Sequence, residues 1–410
     1  MAIVKPFKAL RPAPEKAQFT SCVPYDIVSE AEVREITSAN RDSFLHVTRP
    51  EADFAEGSTP SETEVLKRAQ ENLERFILED TLFQEPEPCL FVYRLTDGDR
   101  QQTGIVGCCS LDDYDAGVIK KHEKTRPDKV RDRTDHMLSL KAQTGLIFLA
   151  FRGTDETKHL IAEAVSREPL YDFPCPKGVR QTVWRVAEPS KLVEAFERIP
   201  ALYIADGHHR AESAALARRE MRDANPNHTG TEEYNYVMAG IFPAENLHIL
   251  AYNRVIKDLN GLTAEAFLEE LRQNFIVTET AERQPKNHGE FCMYLAGRWY
   301  NLRFAVNYVR QPDPLDRLDV QILQQYVLQP ILGIDDPRTN ERMTFVGGGR
   351  GIDELEKLVD EGGSKIAFSL YPTTMEDLFA VSDMGEIMPP KSTWFEPKLK
   401  DGLFVHLIAV

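Results

Sequence analysis

The chain has 410 residues, of which 42% are hydrophobic and 28% are charged, and this composition is typical of a folded protein with two or three domains. Its net charge of −16 disfavours binding to nucleic acid or to an anionic membrane, because most of the surface would repel phosphate groups. The six cysteines include no Cys-x-x-Cys pair, and every apolar run is too short to span a bilayer. We therefore expect a cytoplasmic protein with reduced thiols.

The first half of the chain alternates predicted helices and strands. Ser29 and Glu32 have the spacing of a capping box before a helix that extends to Asn40, and a helical apolar stripe covers residues 61–80. Ser190 is placed to cap a helix over 191–198. The predicted strands are 7–12, 90–93 and 102–111 (as a hairpin), 145–151, 181–186, 202–205 and 234–242.

A cationic segment, residues 119–133, has seven lysines and arginines in fifteen positions of an otherwise acidic chain. One interpretation is a solvated helix whose charges pair with neighbouring acids. The other is a lid or wall that contacts phosphate, chiefly through Lys120, Lys121, His122 and Arg126. The sequence leaves both interpretations open.

A second polar cluster, Asp206-Gly-His-His-Arg210, follows the apolar run 201–205 and precedes a stretch rich in helix formers. This box is predicted to be a strand-to-helix turn. Gly207 permits a tight turn, and the first backbone N–H groups of the helix could bind an anion together with His208, His209 and Arg210. In the alternative interpretations Asp206 only caps the helix, or the two histidines bind zinc.

The second half of the chain predicts further alternation of helices and strands, which indicates an α+β chain. Helices are predicted at 264–274, 316–332 and 352–361, a hairpin at 291–304, and strands at 343–346 and 366–371. The glycine-rich stretch 347–351 could be a phosphate cradle or an ordinary turn. The loop 389–398 either presents Lys391, Ser392 and Thr393 as donors or is a structural loop covered by Trp394 and Phe395.

Phosphoryl transfer needs anion donors, a carboxylate that can hold a metal and a base for the accepting hydroxyl. Asp206 could hold Mg²⁺, while His208, His209 and Arg210 could hold phosphates. Asp26, just before a capped helix, is one candidate for the base.

Several motifs together identify the chain as a member of the bacterial family called domain of unknown function 1015. The match extends over essentially the whole chain, but the family name implies no function. The motifs are Lys5–Pro12, Pro24–Asp26, Ser43–Val47, Ile119–Arg126, Asp206–Arg210 and Pro389–Lys398.

Three of these segments also resemble, in the same order, the free L-serine kinases of the ParB/sulfiredoxin-like fold, which use ADP or ATP. Their box reads Asp-Gly-His-His-Arg or close to it, and their catalytic glutamate aligns with Asp26. Their Pro-Lys-Thr-Thr loop is similar to residues 390–393. The segment from about 45 to 140 has no counterpart in the short archaeal kinases.

The resemblance implies a ParB/sulfiredoxin-like nucleotide-binding core over residues 1–255, with an insertion at about 45–140, and a C-terminal α/β lobe over 256–410. It implies a kinase for free L-serine in which Asp26 is the base, Asp206 is the Mg²⁺-associated acid and the rest of the box binds phosphate. Lys391, Ser392 and Thr393 would bind phosphate or the carboxylate of the amino acid. The alternative function is a nucleotide sensor, using CTP or ATP as ParB proteins do, without turnover.

Overall fold

The computed structural model describes residues 1–175, 178–305 and 313–409, and the chain forms two compact units. The first unit contains residues 1–247 and 397–410, and the second contains residues 248–396. The predicted division at residue 255 assigned the whole C-terminus to the second part. In the structure the last segment belongs to the first unit, because His406–Leu407 pairs antiparallel with Ala142–Gln143.

A mixed sheet of nine strands organises the first unit, in the order β6-β11-β8-β12-β5-β4-β10-β9 with β1 beside β5. Strand β11 runs parallel to β6 and antiparallel to β8, and the predicted hairpin is formed by β4 and β5. The strands of this unit are β1 (Val4–Lys5), β2 (Leu10–Pro12), β3 (Leu82–Gln84), β4 (Phe91–Asp97), β5 (Arg100–Ser110), β6 (Ile119–Lys120), β7 (Ala142–Gln143), β8 (Ile147–Phe151), β9 (Tyr171–Pro174), β10 (Arg180–Arg185), β11 (Leu202–Asp206), β12 (Tyr236–Pro243) and, after the second unit, β21 (His406–Leu407).

Several helices of the first unit begin at a side chain that caps them. The capping box of Ser29 and Glu32 is confirmed. The cap predicted at Ser190 is wrong, because Pro189 already occupies the first helical turn and Glu188 is the N-cap. The helices are α1 (Ala17–Thr20), α2 (Glu30–Ala39), α3 (Leu45–Thr48), α4 (Glu62–Leu78), α5 (Leu111–Asp115), α6 (Pro127–Leu140), α7 (Asp155–Val165), α8 (Pro189–Phe196) and α9 (His208–Ala224).

The second unit is built on an antiparallel sheet of six strands in the order β15-β17-β16-β19-β14-β18. The single helix predicted over 316–332 is instead irregular, with a 3₁₀ turn, a short α-helix and a π-helical turn at Gln324–Leu328. The elements are β13 (Ile249–Leu250), β14 (Tyr252–Ile256), α10 (Ala264–Leu271), β15 (Phe275–Thr280), β16 (Glu290–Leu295), β17 (Arg298–Phe304), α11 (Asp319–Leu323), β18 (Met343–Gly347), α12 (Asp353–Asp360), β19 (Ile366–Leu370), α13 (Met375–Asp383) and β20 (Trp394–Phe395).

Burial of β11 determines where the box lies. Leu202 and Ile204 are fully buried and, with Ala211 and Ala214 of α9, pack into the main core of the first unit, while Tyr203 is 1% exposed. Burying such side chains is the main favourable contribution to folding. Asp206 is therefore the first polar residue beyond the buried part of the strand, and the box lies at the rim of the sheet.

Both units contain helices and strands, which confirms the predicted α+β class. That the core has the ParB/sulfiredoxin-like fold remains a prediction. Within the described ranges, every helix is too short or too polar to cross a membrane.

Candidate functional site

The box forms the predicted strand-to-helix turn between β11 and α9. Gly207 is the N-cap of the 17-residue helix and has φ of 91°, a left-handed conformation in which a side chain would be strained. The first N–H groups of α9 lack partners within the helix, as at every helix start. The turn thus combines a helix N-terminus with the polar side chains that flank it.

Asp206 forms an ion pair with a lysine that sequence reasoning did not assign. Its Oδ2 accepts a hydrogen bond from Lys398 Nζ at 2.6 Å, and its Oδ1 accepts from the backbone N–H of Gly207 at 2.7 Å. Burial opposes ionisation of the carboxyl, but the Lys398 ammonium, Arg210 and the Gly207 N–H outweigh it and lower the pKa of Asp206 to about 2. The interpretation of Asp206 as the helix cap is wrong, because Gly207 is the cap.

The sequence predicts a magnesium ion at Asp206, and whether the ion fits depends on the oxygen atoms that are free to bind it. Mg²⁺ requires oxygen ligands at short distance, but both oxygens of this carboxylate already accept hydrogen bonds, one of them from an ammonium group. Within the part of the chain that the structure describes, no group of three or more His, Cys, Asp or Glu side chains could hold a metal. These residues, as arranged, do not fit a magnesium site.

The two histidines fasten the cationic segment to the start of α9. The Nε2 atom of His208 accepts from the backbone N–H of His122 at 3.4 Å, and Nε2 of His209 accepts from that of Arg126 at 3.0 Å. Burial is the main cause that lowers the pKa of His208 well below its usual value, and the neighbouring His122 lowers it further. His208 is therefore neutral at pH 7, and the two imidazoles bind separate backbone groups instead of sharing a zinc ion.

The cationic segment combines features of both interpretations that the sequence left open. Lys121 Nζ lies 3.9 Å above the ring of Tyr114 and 3.7 Å from Glu212 Oε2, while Arg126 pairs with Asp128 at 2.7 Å. Lys120 Nζ lies 5.9 Å above the ring of Tyr203. The segment forms ion pairs, as the first interpretation expects, but it also lies against the box. Its phosphate-binding role remains a prediction.

Arg210 joins the box to the predicted base loop. Its guanidinium donates to both carboxylate oxygens of buried Asp401, at 2.7 and 2.9 Å, and its Cζ lies 5.3 Å from the ring centre of Tyr25. Although burial disfavours the charged guanidinium, Asp401 raises the pKa of Arg210 above its ordinary value. The phosphate-binding role predicted for Arg210 remains a prediction, because the fork of this guanidinium is already bound to Asp401.

Asp26 is exposed and follows Tyr25 in a tight turn. Arg49 fixes this turn, since its Nη1 donates to the carbonyl oxygens of Tyr25 at 2.9 Å and Val28 at 3.1 Å. A base must be held within reach of the proton that it removes. The backbone around Asp26 is anchored on both sides, while the carboxylate itself is accessible to solvent.

In the second unit, Lys391, Ser392 and Thr393 form a loop fixed by its own backbone. Ser392 Oγ donates to the carbonyl of Pro389 at 2.7 Å, and buried Arg254 donates to the carbonyls of Pro390 and Lys391 at 3.3 and 3.1 Å. Lys391 is exposed and has a left-handed φ of 56°. The structural interpretation accounts for the Ser392 hydroxyl, and ligand binding by these three residues remains a prediction.

The glycine-rich stretch of the second unit is a closely packed turn. A Cβ on Gly347 would lie 2.7 Å from the indole of Trp394, and one on Gly348 would lie 2.9 Å from the carbonyl oxygen of Ala251. Gly348 also donates its N–H to that carbonyl at 2.8 Å. These glycines are therefore explained by close packing, without a bound phosphate.

Sequence reasoning missed the partners of the box, Lys398 and Asp401, and the anchor Arg49. Lys398 ends the family motif Pro389–Lys398, which was a usable signal. Asp401 lies 191 residues from Arg210, and no local pattern connects residues so far apart.

Comparison with solved structures yields distant similarities. A free serine kinase variant in complex with AMP shares 14% identity and a TM-score of 0.36, covering 73% of this chain and 90% of that chain. SbnI with a C-terminal truncation, from Staphylococcus aureus, shares 12% identity and a TM-score of 0.40, covering 74% and 87%. A conserved hypothetical protein from Pyrococcus furiosus shares 16% identity and a TM-score of 0.35, covering 73% and 94%. No curated protein matches the sequence.

One family model matches residues 4–321, a range that contains the Tyr25–Asp26 turn, the cationic segment and the box. Its description is "Protein of unknown function (DUF1015)", which is the family that the motifs predicted. The chain belongs to the DUF1015 family.

Proposed function

We propose that this protein is a small-molecule kinase that transfers a phosphoryl group from ATP or ADP to free L-serine and forms O-phospho-L-serine. The observation that carries the proposal is the meeting of two predicted parts of the site in the first unit. The guanidinium of Arg210, the last residue of the box, lies 5.3 Å from the ring of Tyr25, the residue before the candidate base. A phosphate group at the box and a hydroxyl group at Asp26 would therefore be neighbours.

In the proposed reaction the serine hydroxyl oxygen attacks the terminal phosphorus of the nucleotide while its proton passes to the Asp26 carboxylate. The bond between that phosphorus and the bridging oxygen breaks, and the nucleotide leaves with one phosphate fewer. Positive charge near the transferred group stabilises such a transition state. The N-terminus of α9 and the cationic segment supply positive charge in the first unit. Binding of phosphate or of the serine carboxylate by Lys391, Ser392 and Thr393 remains a prediction.

The direct test is to incubate the protein with Mg²⁺, L-serine and either ATP or ADP and to detect phosphoserine by mass spectrometry. Asp26→Asn should lower kcat by about 10²- to 10⁴-fold, because it removes the general base, while the Kd for the nucleotide stays unchanged. Asp99→Asn, at an exposed aspartate in the turn between β4 and β5, is the matched control and should retain activity. Full activity of Asp26→Asn would remove this residue from the mechanism.

The ion pair of Asp206 favours a second candidate, a regulator that binds CTP or ATP without turnover. The carboxylate predicted to hold Mg²⁺ is bound to Lys398 instead, so the box as arranged lacks the metal-holding acid that phosphoryl transfer needs. Saturable nucleotide binding, with no phosphoserine from ATP, ADP or CTP, would support this regulator and contradict the kinase.

A further inference from the structure

A pocket of the first unit lies beside the box and has a cavity volume of about 30 Å³ behind an open mouth. This volume holds a polar group larger than one water molecule, so the cavity suits a small group such as a carboxylate, with the rest of a ligand in the mouth. The side chains that matter for its chemistry are Tyr25, Arg133, His136, Arg210 and Asp401.

Arg133 supplies the net charge of this pocket. Arg210 and Asp401 neutralise each other through two hydrogen bonds. His136 is neutral, because its pKa is lowered to about 4, mainly by burial and further by the charge of Arg133. The guanidinium of Arg133 therefore adds one positive charge that no other lining group offsets.

The guanidinium of Arg133 is also placed to bind a ligand. It lies over the ring of Tyr25, with Cζ 4.2 Å from the ring centre, and its side chain is only 17% exposed. Its acidic partner is the adjacent Asp132, whose side chain is 54% exposed and accepts at 2.8 Å. An ion pair with so exposed an acid contributes little free energy, so an incoming carboxylate could replace Asp132 at low cost.

We propose that this pocket binds the carboxylate of the acceptor and that Arg133 selects acceptors which carry one. The planar guanidinium fork matches a carboxylate with two parallel hydrogen bonds. Tyr25 relates the positions of the two ends of the acceptor, since Arg133 lies over its ring and Asp26, which would receive the hydroxyl proton, is the next residue. The class of acceptor is a small hydroxy amino acid with a free carboxylate. This inference rests on the proposed kinase function.

The test compares Arg133→Met with the wild type and with Arg131→Met. Arg131 lies on the same helix, but it pairs with Asp135 and Glu220 on the surface and does not line the pocket. Arg133→Met should raise the KM for L-serine by about 10- to 100-fold, the range of a hydrogen bond to a charged group, with kcat and the nucleotide KM little changed. Arg131→Met should behave as the wild type.

A second acceptor separates ligand binding from a structural effect. Ethanolamine is L-serine without its carboxylate, so its KM should be the same in the wild type and in Arg133→Met, and the preference for L-serine should disappear in the variant. An unchanged KM for L-serine, or an equal rise for both acceptors, would overturn the inference. A rise in the nucleotide KM alone would assign the pocket to phosphate and would also overturn it.

If the wild type forms no phosphoserine, the kinase proposal fails and the pocket is tested by binding alone. L-serine is then titrated calorimetrically into the protein with and without AMP. Binding that Arg133→Met abolishes and Arg131→Met retains would support the pocket. No heat of binding in the wild type under either condition would overturn it.

Discussion

Two polar segments, the box at 206–210 and the loop at 389–393, are both predicted from the sequence to bind phosphate but are held in different ways. In the box, Asp206 and Arg210 form ion pairs with Lys398 and Asp401, at residues almost 200 positions away. In the loop of the second unit, the Ser392 hydroxyl binds a carbonyl three residues earlier. The first segment is held by charged and titratable side chains, and the second by backbone oxygens.

This difference shows what a polar motif can and cannot indicate. A hydroxyl that already donates to a buried carbonyl has a structural role, and its loss leaves an unsatisfied acceptor. A charged side chain held by another side chain can exchange its partner for a ligand of the same charge. Arg133 meets this second condition, because its partner Asp132 is 54% exposed.

The largest expected effect in the box follows from Arg210→Met. Asp401 is 3% exposed and would keep a buried charge without its guanidinium, and breaking a buried pair on one side costs about 3–5 kcal/mol. We expect a loss of this size in the free energy of unfolding, measured with urea. The double variant Arg210→Met/Asp401→Leu should recover most of the loss, because no charge remains unpaired. A loss below about 1 kcal/mol would show that the pair contributes little and that the box resembles the loop.

The second prediction concerns His122, a buried residue of the cationic segment whose backbone N–H donates to His208. Burial lowers the pKa of His122 to about 4 from 6.5, so between these pH values the unfolded chain binds more protons than the folded chain. Stability must then fall as the pH decreases through this window, and His122 contributes about 2 kcal/mol of the loss between pH 7 and pH 5. The free energy of unfolding of His122→Gln should depend less on pH by that amount.

His159→Gln provides the control for this measurement, since His159 is exposed and its removal should leave the pH dependence as in the wild type. An identical pH dependence in His122→Gln and the wild type would contradict the buried, neutral state of His122.

Local patterns in the sequence predicted local structure well. The strand, glycine and helix of the box and the capping box at Ser29 depend on neighbouring residues, and the structure confirms them. The interrupted helix after residue 315 was not predictable from apolar spacing, because a π-helical stretch of only five residues is too short to show a period of its own. The partners of the box were also not predictable, since Lys398 lies 192 residues from Asp206 and only the fold of the chain brings them together.

The smallest effect should come from the loop, where Ser392→Ala removes a hydroxyl that is part of a residue only 5% exposed. Loss of its hydrogen bond to Pro389 should lower the free energy of unfolding by about 1 kcal/mol and leave the nucleotide Kd unchanged. Ser58→Ala is a useful comparison, because Ser58 makes the same type of bond, to the carbonyl of Ala55, but on the exposed surface, where water can replace it at little cost. A tenfold weaker nucleotide affinity in Ser392→Ala at unchanged stability would instead make this hydroxyl a ligand-binding group, as the sequence resemblance implies.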